Sequence, residues 1–227
     1  MNIIRRPFRY VNLNTVYWLI GINALIFFIT FFLRGSQLSA LLYDIMPMRP
    51  YRIIKSGWVW TFITYMFMHG GISHLFFNML GLFIFGVHVE RQMGSKEFLL
   101  YYFLTGALAG VFSFFVYYIT GPSFEELARY PPAYRYGIAL IGASGALYAV
   151  QLAYAVFFPN SVIYIWGIIP LRAPIMVLAF TVLSLFFIIT GGGGNVAHIT
   201  HLAGFAFGWV YFLIRFGVNP LRRLLGR

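Results

Sequence analysis

Six apolar stretches constrain this chain more than any other feature of its sequence. About 20 apolar residues in a helix cross a hydrocarbon core of about 30 Å, and each stretch is close to that length. We therefore predict six membrane-spanning helices. They cover approximately Val16–Leu33, Ile72–Val87, Phe98–Ile119, Ile138–Phe158, Ala173–Ile189 and Val196–Phe216.

The low content of charged residues agrees with a membrane protein. Only 9% of the residues are charged, against about 25% in a typical soluble domain. No linker or internal repeat divides the chain. The prediction is an all-α membrane protein, a six-helix transmembrane bundle that forms one domain over 1–227. It has a long first loop at 34–71, short turns at 91–97 and 159–172, and short basic tails at about 1–15 and 217–227.

The net charge of +11 is explained better by membrane topology than by nucleic-acid binding. The Arg and Lys residues lie in short connections rather than along one stripe, so we expect contact with anionic lipid headgroups and no nucleic-acid partner. With an even number of spans, ten basic residues lie on the side of the termini and six on the other, which predicts cytoplasmic termini. The lack of cysteine and of a Ser-rich leader fits a multi-pass protein of a bacterial inner membrane.

Polar residues stand near the starts of the second, fourth and sixth predicted helices, which all begin on the outer side. They therefore share one depth, and polar groups inside membrane spans are candidates for a functional site. These residues are His74, Asn78, Ser144, His198 and His201.

Ser144 and His201 have the chemistry of a hydrolase. A serine hydroxyl is a weak nucleophile that needs a neighbouring base, and a neutral histidine can take its proton. Asp44 lies in the first loop and Glu90 lies far along the second helix, so neither is placed to orient the histidine. We therefore predict a Ser-His dyad, with Tyr148, one turn after Ser144, able to hold the imidazole by packing.

The same region offers hydrogen-bond donors for an oxyanion. Backbone N–H groups at a helix start have no intrahelical partner, which favours the amides around Ala143 and Ser144. His74 and Asn78 add side-chain donors. The neighbouring Gly142 and Gly145 would let a substrate chain approach closely.

Other interpretations remain open at this point. Gly142–Gly145 and the GxxxG pair Gly204 and Gly208 are typical of close helix packing in membranes. His69, His74, His198 and His201 are possible metal ligands, but no HExxH motif or nearby carboxylate accompanies them, so we predict neither metal nor cofactor. A channel or transporter, or a non-catalytic binder of membrane helices, would also use buried polar groups. Nothing in the sequence indicates the oligomeric state.

Three motifs in order resemble the rhomboid intramembrane serine proteases. They are His69-Gly70-Gly71-Ile72-Ser73-His74-Leu75-Phe76-Phe77-Asn78, Gly142-Ala143-Ser144-Gly145 with Tyr148, and Ala197-His198-Ile199-Thr200-His201-Leu202-Ala203-Gly204 with Gly208. The segment Glu90 to Gly94, followed by Ser95, is also similar to the turn after that family's second helix. The resemblance runs from about Trp60 to Gly208.

This resemblance implies a role for each matching residue and a class of substrate. Ser144 would be the nucleophile, His201 the general base, His74, Asn78 and the Ser144 amide the oxyanion site, His69 a structural or supporting residue, and Tyr148 the ring that packs on the catalytic imidazole. The substrates would be transmembrane helices, cut near their outer end where small or helix-breaking residues permit unwinding. The first loop would be partly embedded in the membrane.

Three features stay outside this assignment. His198 has no role implied by the resemblance. Trp60-Thr61 replaces a frequent Trp-Arg pair, so the anchoring of the first loop differs from the family pattern. The glycine run 191–194, which joins the fifth and sixth helices, is a candidate for a mobile cap because glycine has few conformational restrictions.

Overall fold

A computed structural model describes residues 7–121, 129, 139–165, 167–191 and 195–226. In chain order the elements are α1 (Thr15–Phe32), α2 (Gln37–Ile45), α3 (Pro50–Ser56), α4 (Thr61–Thr64), a 3-10 turn (Tyr65–Phe67), α5 (Ile72–Gly81), a π-helical turn (Leu82–Gly86), α6 (Val87–Met93), α7 (Ser95–Thr120), α8 (Ser144–Phe157), β1 (Val162–Ile165), β2 (Ile169–Arg172), α9 (Ala173–Thr190), α10 (Asn195–Tyr211), a second π-helical turn (Phe212–Phe216) and α11 (Pro220–Leu224).

Five helices in the described part of the chain are long and apolar enough to cross a membrane. They are Thr15–Phe32, Ile72–Met93, Ser95–Thr120, Ala173–Thr190 and Ala197–Phe216. The helix α8, with 14 residues, is apolar but shorter. The predicted class, a membrane protein built from helices, is confirmed. The predicted number of six spans stays a prediction.

The helix α8 begins later than the predicted stretch 138–158. Before it, Leu140 forms a two-way backbone bridge with Met48, its N–H donating over 2.8 Å and its carbonyl accepting over 3.1 Å. Gly142 then has a φ of +114°, a conformation that favours glycine and is not helical. These two features delay the helix start until Ser144, the predicted nucleophile.

The connection predicted as a short turn at 159–172 contains an antiparallel β-hairpin. Val162 pairs with Arg172 and Ile165 with Ile169. The strands are rich in β-branched residues, which suit extended backbone, and Gly167 has a φ of +72° in the turn between them. The hairpin is the one departure from all-helical structure among the named elements.

The centre of the bundle is α8, which packs between α7, α9 and α10. Its alanines Ala146, Ala149 and Ala153 have no exposed surface. A Cβ on Gly204 would stand 2.0 Å from the carbonyl oxygen of Gly145, and one on Gly208 would stand 3.2 Å from the Cβ of Ala149. As the packing interpretation predicted, small residues let α10 approach α8 closely.

The first loop contains the short helices α2, α3 and α4. The Thr61 hydroxyl donates to the Trp58 carbonyl over 2.6 Å, and the Trp60 ring N–H donates to the Ile45 carbonyl over 3.0 Å. Arg52 contacts the Asp44 carboxylate at 2.8 Å and lies over the Trp58 ring. These contacts fix the position of the loop, and Thr61 takes part in them through its hydroxyl.

Glu90 fastens the start of α1 to the turn between α6 and α7. Its carboxylate accepts the N–H groups of Thr15 and Val16 over 2.6 and 2.9 Å, and the hydroxyls of Thr15 and Ser95. The predicted second stretch ended at Val87, but the helix runs on to Met93 because this charged side chain is buried and fully hydrogen-bonded.

We expect Glu90→Ala to destabilise the protein by about 3 kcal/mol, because it leaves several buried donors without an acceptor. Thermal unfolding in detergent measures the effect. Lys96→Ala is the control, since Lys96 is exposed in the same turn and should change the midpoint little. An unchanged midpoint for Glu90→Ala would contradict the anchoring role.

Candidate active site

Ser144 and His201 come into contact although 57 residues separate them in the sequence. Ser144 Oγ, at the start of α8, lies 2.8 Å from His201 Nε2 on α10. The approach of the two helices through Gly145 and Gly204 makes this contact possible. A hydroxyl and an imidazole nitrogen at this distance can transfer a proton.

The imidazole of His201 is held by aromatic packing. The Tyr148 ring stacks on it with centroids 4.2 Å apart and planes 11° apart, and Phe205 contacts the edge of Tyr148. The Nδ1 atom of His201 is buried and has no hydrogen-bond partner in the described part of the chain. Among the described residues, packing against Tyr148 is therefore the contact that orients the ring.

The three carboxylates in the described part of the chain have partners other than the histidine. Asp44 pairs with Arg52 in the first loop, and Glu90 accepts its hydrogen bonds at the α6–α7 turn. The Glu97 carboxylate accepts hydrogen bonds from Arg215 Nε, over 2.7 Å, and from the hydroxyl of Tyr211. None of these recorded partners of Asp44, Glu90 and Glu97 is His201.

His74 and Asn78 lie one helical turn apart on α5 beside the serine. The Gly70 N–H donates to His74 Nδ1 over 3.4 Å, so the neutral ring carries its proton on Nε2. That Nε2 atom lies 2.6 Å from the point where a Cβ on Gly142 would stand. Asn78 donates one amide hydrogen to the His74 carbonyl over 2.8 Å and lines a cavity together with Ser144.

The backbone around Ala143 and Ser144 presents helix-start amides. Ala143 is the residue before α8. The N–H groups in the first turn of α8, including that of Ser144, therefore have no intrahelical acceptor. The Gly142 N–H donates to the Tyr65 carbonyl over 2.9 Å, and the Tyr65 hydroxyl donates to the Gly106 carbonyl. Tyr65 thus positions this turn, a role that no spacing in the sequence indicated.

His69 is buried against His74, with ring centroids 5.0 Å apart. Burial lowers the pKa of the His69 imidazole to about 3, and the nearby His74 contributes to the lowering. The ring is therefore neutral at physiological pH and places no positive charge next to His74. Its position fits a supporting role.

His198 stacks on Phe187 at 4.8 Å and contacts the His201 ring edge-on at 5.8 Å. It belongs to the aromatic cluster around His201, and within the part of the chain that the structure describes it has no hydrogen bond to Ser144. Within the described residues, no three His, Asp or Glu side chains converge as metal ligands. The proposed cap at 191–194 lies outside the described residues except for Gly191.

A cavity of about 570 Å³ opens beside Ser144 between α5, α8, α9 and the β-hairpin. Its walls are mainly apolar, including Phe77, Leu147, Met176 and Phe180. The lining residues on α8 are Ser144, Leu147, Tyr148 and Gln151, so the cavity lies along the first two turns of this helix.

Comparison with known proteins identifies the family. A family model described as Rhomboid domain matches residues 56–218. The chain is 33% identical over 157 residues to RHOMBOID-like protein 12, mitochondrial, of Arabidopsis thaliana, which covers 67% of this chain and 45% of that relative. It is 30% identical over 159 residues to the putative rhomboid protease YdcA of Bacillus subtilis, covering 69% of this chain and 67% of the relative.

The rhomboid protease GluP of Bacillus subtilis is 33% identical over 137 residues, which cover 60% of this chain and 24% of GluP. The chain therefore spans less than half the length of two of these three relatives. The family model covers well over half of the chain and contains all three motifs found in the sequence. The chain is therefore an integral membrane protein that belongs to the rhomboid family.

Proposed function

We propose that this protein is an intramembrane serine protease that uses Ser144 and His201 as a catalytic dyad. The observation that carries the proposal is the 2.8 Å contact between Ser144 Oγ and His201 Nε2, with Tyr148 stacked on the imidazole. The rhomboid proteases among its relatives support the same activity. Neither a metal nor a cofactor takes part in the proposed reaction.

In the first step, His201 Nε2 takes the proton of the Ser144 hydroxyl while Oγ attacks the carbonyl carbon of the scissile peptide. The carbonyl oxygen becomes an oxyanion that accepts hydrogen bonds from His74 Nε2–H, from the Asn78 amide and from the Ser144 N–H. The intermediate collapses when His201 gives its proton to the leaving amine. A water molecule, deprotonated by His201, then hydrolyses the acyl-enzyme and frees Ser144.

The proposed substrates are transmembrane segments of other proteins, cut near their outer end. A peptide bond inside a helix is shielded by its own hydrogen bonds, so the segment must unwind before attack, and small or helix-breaking residues favour unwinding. The apolar cavity beside Ser144 suits a membrane helix better than a soluble peptide. Incubating the purified protein with a model transmembrane substrate, and labelling it with a fluorophosphonate, tests the activity.

We also propose a bacterial inner membrane as the location, with both termini in the cytoplasm and the start of α8 toward the outer side. The excess of Arg and Lys on the side of the termini supports this orientation. The first loop, with exposed Val59 and Trp60, would rest partly in the outer leaflet.

The absence of cysteine makes this topology directly measurable. Exposed Lys55 and Arg222 lie on opposite sides in the proposal. In intact cells we expect a membrane-impermeant maleimide to label Lys55→Cys and to leave Arg222→Cys unlabelled until the membrane is permeabilised. The reverse pattern would mean that the termini lie outside.

A further inference from the structure

Gln151 is a buried polar residue that the proposed mechanism does not use. It lies on α8, seven residues after Ser144, is 6% exposed and lines the same cavity. Its Oε1 atom is buried and has no hydrogen-bond partner in the part of the chain that the structure describes. Buried polar atoms are normally hydrogen-bonded, so an unpaired acceptor on a cavity wall indicates a missing partner.

Within the described residues, no neighbouring side chain or backbone group donates a hydrogen bond to Gln151 Oε1. The cavity that Gln151 lines is mainly apolar, with Ile84, Phe85 and Met176 among its other lining residues. Seven residues of α-helix place Gln151 about 10 Å along α8 from Ser144, too far for contact with the reacting peptide bond. Any ligand that reaches both residues must extend along the cavity in the direction of α8.

We propose that Gln151 determines substrate specificity by accepting a hydrogen bond from a side-chain donor in the substrate's transmembrane segment. This inference rests on the proposed protease function. The donor is the amide or hydroxyl of an Asn, Gln, Ser or Thr residue. It lies on the side of the scissile bond that follows α8 toward Phe157, about three residues away if the segment is extended and about seven if it is helical.

A hydrogen-bond donor of the substrate that lies beside Gln151 should strengthen substrate binding, because the surroundings are apolar and offer few other partners. Within a bilayer, a polar side chain of the substrate has few partners in lipid, and pairing with Gln151 satisfies both side chains at once. A fully apolar transmembrane segment leaves the Gln151 oxygen unpaired when it fills the cavity. The residue therefore favours helices that carry a polar side chain at one register.

The test compares two model transmembrane substrates that differ at one position, scanned from three to seven residues beyond the cleavage site. One carries Asn and the other Leu. At the matching register we expect wild type to cleave the Asn substrate with a kcat/KM about three- to tenfold higher, the range given by one side-chain hydrogen bond between membrane helices. We expect Gln151→Leu to cleave both substrates equally.

Asn23→Leu is the matched control. Asn23 is also a buried amide with an unpaired oxygen, but it lies on α1 and does not line the cavity. It should retain the preference for the Asn substrate. Equal cleavage of both substrates by wild type at every register, or a preference that survives in Gln151→Leu, would overturn the inference.

A binding measurement separates this inference from the protease proposal. In a Ser144→Ala background, photocrosslinking to the two substrates should show the same preference, and Gln151→Leu should remove it. If the crosslinking preference is present but wild type cleaves neither substrate, the role of Gln151 stands and the protease function fails. If cleavage occurs without any preference in either assay, the protease function stands and the role of Gln151 fails.

Discussion

Ser144→Ala is expected to lower cleavage of a transmembrane substrate by at least about 10⁴-fold, because it removes the atom that attacks the peptide bond. The fold should survive, since the side chain is small and only its contact with His201 is lost. Turnover of a labelled model substrate in proteoliposomes measures the effect. Fluorophosphonate labelling of the same variant should disappear in parallel.

Asp44→Ala is the control for this experiment. Asp44 is paired with Arg52 in the first loop, so its removal should leave most of the activity. If a folded Asp44→Ala variant lost cleavage, Asp44 would have to be included in the catalytic site as an acid beside Ser144 and His201. If Ser144→Ala cleaved the substrate as fast as the wild-type protein does, the protease proposal would be refuted. A channel, a transporter or a non-catalytic helix binder is expected to keep its activity in that variant.

Gly204→Ala is expected to destabilise the bundle strongly and to abolish cleavage. The added Cβ would stand 2.0 Å from the Gly145 carbonyl oxygen and 2.9 Å from its carbon, and backbone atoms cannot rotate away as a side chain can. The helices α8 and α10 must therefore separate, which increases the distance between Ser144 and His201. Overpacking of this kind costs about 3 kcal/mol or more, although alanine alone would favour the helix by about 1 kcal/mol.

Thermal unfolding in detergent and turnover of the model substrate measure both effects. Gly21→Ala is the matched control, because Gly21 lies inside α1 and nothing stands within 4 Å of an added Cβ. That variant should be as stable as wild type or slightly more so. A Gly204→Ala protein with the wild-type midpoint and activity would show that the close contact of α8 with α10 is not required.

Much of the fold was predictable from the sequence because membrane helices are encoded locally. The predicted first stretch, Val16–Leu33, differs from α1 by one residue at each end, since the number of consecutive apolar residues directly sets the length. Where the prediction failed, long-range contacts were responsible. The bridge between Met48 and Leu140 delayed the start of α8, and the buried carboxylate of Glu90 extended the second span.

The residues of the candidate site were also predictable from the sequence only in part. Residue types and motif spacing selected Ser144, His201, His74 and Asn78, because nucleophile, base and oxyanion donors are chemical identities that a sequence displays directly. Gln151 was not selected, since a glutamine in an apolar stretch resembles any other isolated polar residue. Its significance appears only when the cavity beside Ser144 is found to extend along α8 to its side chain.

The sequence by itself determined that the chain is a helical membrane protein, that it resembles the rhomboid proteases, and which side chains have the chemistry for peptide hydrolysis. Only the tertiary structure decided that Ser144 and His201 lie 2.8 Å apart, that Tyr148 stacks on the imidazole, and that Gln151 faces the same cavity. The reason is physical: hydropathy and residue chemistry are local properties, whereas a contact across 57 residues depends on how closely two helices pack. Here that distance is set by Gly145 and Gly204, which bring α8 and α10 together.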